Sequence, residues 1–218
     1  MAITKENLDN VINLIKNVPS LWDGKKSILE MKENNFNQWK QMEWIGFYFE
    51  YLCQKFLKDI MKFHKIKYGN TSFDGFLEVP FDFKSHAINT ESHKVIINDT
   101  EATINAIKEY GYVIVIMAIG EVEYNDKKRI FQRWHEKIKG GKSKYEEERI
   151  TRGALSRLRK TKFDLKELMF IKINNETLEK CGSFQKDFRN SNGSPRRSKV
   201  LLDLEKLNEE EIIKTIKF

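Results

Sequence analysis

Cysteine, proline and long apolar runs are all scarce in this sequence, and each scarcity excludes something. Two of the 218 residues are cysteine, Cys53 and Cys181. They lie far apart without a partner motif, so neither a disulfide framework nor a cysteine zinc site is expected. The most apolar run, residues 112–120, is about half the ~18 residues that a membrane-crossing helix needs. The amino end carries no secretory apolar region. The expected setting is therefore a reducing cytoplasm, away from membranes. Repeats and low-complexity stretches are missing as well. Gly141-Lys142-Ser143 lacks the upstream glycine and strand of a phosphate loop, which argues against NTP-driven chemistry. No nucleophilic-serine motif occurs.

What is present is a core and a skewed charge. Apolar residues make up 40% and aromatics 12%, enough to rule out global disorder. The length suits one domain over 1–218, with a core at about 39–175 and a carboxy-terminal loop and helix at 176–218. Three prolines interrupt it little. The net charge is +7, yet residues 127–162 hold 14 Lys/Arg against four Asp/Glu. That segment outweighs the net charge of the whole chain. Such a concentration points to a polyanion partner or, more simply, to a solvated lysine-rich helix pair.

Periodicity gives the elements. Leu8, Ile12, Ile15 and Val18 predict a helix over 3–18, ended by Pro19. Met42, Ile45, Phe49, Leu52, Phe56 and Ile60 draw one stripe along a helix over 39–64. Glu43 and Glu50, seven apart, share another of its faces among aromatics, a costly placement unless something compensates it. Residues 65–86 read as two or three short strands. Asp99 or Thr100 caps a helix that Gly111 ends, and 112–120 reads as a buried central strand. Basic helices are expected at 129–139 and 146–160, a strand at 168–173, an irregular basic segment at 182–198 and a final helix capped by Asn208. Mixed strands and helices with a crossover argue for an α/β sandwich around a mixed sheet.

Chemistry centres on Asp74 and Asp82-Phe83-Lys84. Asp82 and Lys84 are two apart on a strand and leave the same face, which Asp74 can approach across the hairpin. Two close carboxylates need a cation between them, and Mg²⁺ accepts one or two carboxylates plus waters. A lysine beside that cation can assist a water and offset charge growing on a phosphorane. Plainer readings stand beside this one. Asp74-Gly75 between Phe73 and Phe76 also fits a hairpin turn. Asp82 and Lys84 also fit an ordinary ion pair. Four other acid-X-lysine triplets begin at Asp23, Glu30, Asp126 and Asp164. His86 keeps the parity of Asp82 and Lys84, so it is a candidate to touch a phosphate or an ordinary strand-end residue.

This arrangement resembles the PD-(D/E)XK nuclease superfamily, in particular type II restriction endonucleases. Gly46-Phe47-Tyr48-Phe49-Glu50 is similar to the Gly-X-X-Phe-Glu pattern found in many members. The order of helix, acid-bearing hairpin, helix and central strand is similar over 39–120, with the strand near 168–173. The resemblance implies a restriction-endonuclease-like mixed β-sheet flanked by helices. It implies Asp74 and Asp82 as metal ligands, Lys84 as catalytic lysine, Glu50 as the helix acid and the Phe83 carbonyl as a further ligand. The chain departs from the family in having Phe73 before Asp74 and seven residues between the two aspartates. Glu78 shares strand parity with Asp82 and is the alternative to Asp74, while Pro80 could shift the register.

The expected function is Mg²⁺-dependent hydrolysis of double-stranded DNA at a short specific sequence by a homodimer. Arg189, Asn190, Asn192, Arg196 and Arg197 form a polar loop whose residue types suit base or phosphate contact. Lys142, Lys144 and Arg152 of the basic segment are further candidates for gripping DNA. A structure-specific repair nuclease, or a DNA-binding protein without catalysis, would use the same surface.

Overall fold

A strand buried on both faces organises the protein. β6 (Val113–Glu123) alternates strictly. Ile114, Ile116 and Ala118 pack into one apolar cluster, and Val113, Val115, Met117 and Ile119 into another. In a computed structural model that describes residues 2–63, 73–154, 157–185 and 195–218, this strand lies inside a seven-stranded sheet. Its main path runs β1 (Leu21–Asp23), β7 (Lys162–Ile173), β6, β4 (Val79–Ala87), β3 (Gly75–Leu77), β2 (Lys62–Phe63). β10 (Ile212–Lys217) pairs antiparallel with β7, beside β1. β4 and β6 are parallel and the other pairs antiparallel, so the expected mixed sheet is what the chain forms. Gly120 sits at a bulge where β6 presses on β7, and a Cβ there would run into the Asp164 carbonyl.

Helices α1 (Lys5–Ile15), α2 (Gly24–Glu33) and α3 (Trp44–Leu57) cover one face through Trp22, Trp44, Phe49, Phe81 and Phe170. The other face is covered by α4 (Thr100–Tyr110), α7 (Asn175–Cys181) and a second antiparallel sheet of β5 (Lys94–Asp99), β9 (Lys199–Asp203) and β8 (Gly182–Gln185). α5 (Ile130–Lys139) and α6 (Lys144–Thr151) carry much of the basic segment. Both cysteines are buried free thiols. Among the described residues no helix is long and apolar enough to cross a membrane.

Several expectations need correction. The helix expected over 39–64 spans only Trp44–Leu57, because Asn37–Lys40 forms a separate 3-10 turn. α6 stops at Thr151, short of the expected 160. Asn208 caps no helix: the β-branched run after it pairs with β7 as β10. The segment expected to be irregular from 182 begins with β8, paired to β9.

Candidate active site

The site forms where β4 runs beyond its hairpin partner. β3 pairs with β4 from Leu77↔Val79 to Gly75↔Phe81. Glu78 makes the turn between them, at φ 60°. One further step of that register sets Asp74 opposite Asp82. There Asp74 Oδ2 accepts the Phe83 N–H at 2.8 Å, taking the place of a strand carbonyl. The hairpin turn is therefore at Glu78, and Asp74-Gly75 is not a turn. Pro80 stays in register opposite Phe76 and shifts nothing.

Strand parity places the rest. Asp82 and Lys84 pair along β6 with Val115 and Met117, so both leave the sheet on the side of the second sheet. Phe81 and Phe83 point the other way, into the core under α3. Lys84 Nζ lies 2.7 Å from Asp82 Oδ2 and 3.8 Å from Asp74 Oδ2. It also donates to the Phe83 carbonyl at 3.4 Å. The ammonium thus stands where three oxygens converge, and those are the three expected to hold a cation.

The electrostatics are those of a crowded, dry corner. Burial pushes the Asp82 carboxyl well above the usual carboxylate range, opposed by Lys84 and reinforced by Asp74. Lys84 loses by desolvation, but Asp82 and Asp74 more than reverse this and hold it protonated. The two directions conflict across one contact. At 2.7 Å the charged pair is the favoured state, so Lys84 is an ammonium and Asp82 ionised while they touch. Among the described residues none gives Asp82 Oδ2 an aligned hydrogen bond. Glu50, on α3, is buried and raised to about 8, first by burial and then by the charge of Asp74. Cys53, fully buried one turn later, has its thiol pushed up by burial and by the same two acids.

Two carboxylates and a carbonyl are an all-oxygen donor set, which suits a hard divalent cation. Among the described residues no three His, Cys, Asp or Glu side chains stand together as a complete metal cage. Mg²⁺ needs none, since it takes one or two carboxylates and fills its remaining positions with water and substrate phosphate. The residues present fit that ion.

These groups lie at the base of an open cleft of about 770 Å³. Its walls are the start of α3, the exposed end of β4 and one face of β5, with Lys160 on the rim. His86 joins the cleft, half-buried, its imidazole held low by burial, then by His93 and Lys160. Glu43 does not share a helical face with Glu50. It precedes α3, is 66% exposed and pairs with Lys160 at 2.9 Å on the rim. Glu78 is removed from the ligand set: its Oε2 accepts the Thr4 N–H at 2.7 Å, tying the hairpin turn to the start of α1. Lys142, Lys144 and Arg152 are exposed around α6 and do not line the cleft. Arg196 and Arg197 are exposed just before β9, while Arg189, Asn190 and Asn192 lie outside the described residues.

The four other acid-X-lysine triplets have structural work. Asp23 caps α2. Glu30 receives Tyr48, Tyr51 and Lys55. Asp126 accepts two N–H groups at the start of α5. Asp164 and Lys166 pair across a half-exposed surface. Sequence reasoning missed β5 and Lys160. The signal in Lys94-Val95-Ile96-Ile97-Asn98 was an apolar-polar alternation blurred by one outward isoleucine.

No protein-family model matches the sequence, nor does any curated protein. Among solved structures, the restriction endonuclease BglI bound to its DNA recognition sequence is similar, with TM-score 0.39 and 11% identity. That match covers 97% of this chain and 87% of the other.

Proposed function

We propose that this protein is a Mg²⁺-dependent endonuclease that hydrolyses phosphodiester bonds in double-stranded DNA at a short specific sequence, as type II restriction enzymes do. One observation carries the reading: Asp74, Asp82 and the Phe83 carbonyl converge on the Lys84 ammonium at the base of an open cleft. An ion pair built only for stability gains little from burial. A buried carboxylate kept beside a lysine in a cleft is the kind of perturbed pair that marks a reactive site.

Asp74 and Asp82 would hold the metal, with the Phe83 carbonyl as a third oxygen. Mg²⁺, when bound, supplies a positive centre that acidifies a water and offsets phosphate charge. Lys84, held protonated, is an electrostatic partner for a phosphorane in the making, not a base in this arrangement. Glu50 carries a proton below pH about 8 and offers a hydrogen-bond donor beside Asp74. His86 and Lys160 flank the path a phosphate backbone would take. Two copies of the chain would match a two-fold symmetric site.

The test is one digestion series on unmethylated phage DNA with Mg²⁺, with EDTA and with Lys84→Ala. Discrete fragments in the Mg²⁺ lane alone are expected. A smear would instead indicate a structure-specific nuclease. Intact DNA in every lane, with binding retained in a gel shift, would replace the reading with a binding protein.

A further inference from the structure

The cleft wall facing the catalytic residues is β5, and its exposed row is chemically odd. Val95, Ile97 and Asp99 turn inward, the first two packing with Val200 and Leu202 of β9. Lys94, Ile96 and Asn98 turn outward and line the same cleft as Asp82 and Lys84. Ile96 is 45% exposed in the middle of a strand. An ammonium, a branched apolar group and an amide in one row make poor surface and a good reader of base edges.

We propose that Lys94, Ile96 and Asn98 read sequence in the major groove of the duplex whose backbone lies over Asp82 and Lys84. The proposal rests on the nuclease reading above and names its specificity element. Three observations carry it. First, β5 is the outer strand of its sheet in the order β5-β9-β8, so the β5-β9 pair presents a ribbon edge. The major groove, about 12 Å wide, admits such a two-stranded ribbon.

Second, the spacing matches. Outward residues on a strand recur every ~6.8 Å, and base pairs stack every ~3.4 Å along each strand of DNA. Lys94 and Ile96, which precede the bulge, therefore meet every second base pair. Third, the residue types differ in what they select. Asparagine pairs with the N6 and N7 of adenine, an apolar group contacts the thymine methyl, and lysine reaches the O6 and N7 of guanine.

Local geometry supports Asn98 in particular. A bulge between Ile96 and Asp99 re-aims the strand there. Asn98 Oδ1 accepts the Asp99 N–H at 2.7 Å, which fixes the amide plane. The oxygen keeps a second lone pair and the amide nitrogen its donors. Charge is complementary at both ends of the row. Lys160 stands on the cleft rim, and Arg197 lines a depression with Asp99 and Thr100 just past Asn98. Arg197 then grips phosphate, while the bases are read from β5.

The experiment selects bound duplexes from a randomised pool without divalent cation, using the full chain, and sequences them. Wild type should yield a motif. Asn98→Asp keeps the acceptor towards Asp99 and removes the donors, so one position should switch from adenine to cytosine, whose N4 donates. Ile96→Ala should relax a thymine at a different position of the motif, by about tenfold in discrimination. Asn98→Ser, a second variant at the same position, should relax the adenine without switching it. Unchanged motifs in all variants would overturn the β5 assignment and leave the nuclease reading standing. Wild type that cuts DNA in Mg²⁺ yet selects no motif would also remove β5 as a reader. Wild type that neither binds nor cuts would overturn both.

Discussion

Lys84→Ala should destabilise the protein in a way that depends on pH and is repaired by a divalent cation. Asp82 is 2% exposed, and Lys84 Nζ lies 2.7 Å from its Oδ2. Removing one partner of a buried pair costs ~3–5 kcal/mol. The Lys84 side chain is 24% exposed, so the lower end, about 3 kcal/mol, applies. For a chain of this size that is a fall of roughly 6–12 °C in Tm.

The pH dependence has a definite sign. Burial raises the Asp82 carboxyl in the folded chain, and losing Lys84 removes what opposes that rise. A raised carboxyl is protonated in the folded state where the unfolded chain has already lost the proton. Stability is then present at low pH and lost as pH rises from the ordinary carboxylate range through the raised value. The variant should melt close to wild type at pH 5 and well below it at pH 8. Asp82→Asn in the same background should recover most of the loss. Mg²⁺ at about a hundred times its Kd should return ~2.7 kcal/mol, and less in wild type, where Lys84 competes. Melting curves at the two pH values, with and without Mg²⁺, measure all of this. A variant that melts with wild type at pH 8 would show that Lys84 balances no charge on Asp82, and the cation site would fall with it.

Three further outcomes follow from the same geometry. Glu50→Gln should flatten the dependence of Tm on pH: wild type loses about 1.4 kcal/mol per pH unit between the ordinary carboxylate range and the folded value of about 8, and the glutamine variant loses none of it. Glu78→Ala should leave DNA cleavage unchanged and lower Tm slightly, because the Thr4 N–H no longer has its acceptor; abolished cleavage would return Glu78 to the ligand set. Arg196→Ala with Arg197→Ala should weaken DNA binding and reduce its salt slope by about 0.9 for each phosphate left without its arginine, and an unchanged slope would remove these arginines from the footprint.

The sequence made the centre of the fold legible and hid its margins. Residues 112–120 are apolar at nearly every position, and a strand buried on both faces needs that pattern. α4 announced both of its ends through Asp99 and Gly111, since a cap and a left-handed stop are local events. α2 was invisible because its buried stripe is Gly24, Ser27, Ile28 and Met31, half of it not apolar. A Cβ at Gly24 would stand 2.9 Å from the Phe131 ring and the Thr161 carbonyl, a demand set by residues over a hundred positions away. β10 was misread for a related reason: its identity comes from pairing with β7, not from local preference.

The candidate site shows where local reading stops. Five acid-X-lysine triplets are equal as strings, and spacing alone picks none of them. Position behind a hairpin favoured Asp82, and strand parity correctly brought Lys84 to its side. Parity also offered Glu78, and there it failed. Counting alternate residues assumes an unbroken strand, whereas the turn residue at φ 60° sends its side chain back to Thr4. Asp74 escaped the same error because it lies beyond the last strand pair, opposite Asp82 and bonded to the Phe83 N–H. What separates the Asp82 triplet from the other four is burial without a helix end to cap. The acids of the others face N–H groups, hydroxyls or partly exposed lysines, which stabilise a carboxylate at little cost. Asp82 faces a lysine in a dry corner, where the ionised state survives only while a cation is present. On the function proposed above, Mg²⁺ would take over from the Lys84 ammonium the charge that Asp82 needs balanced.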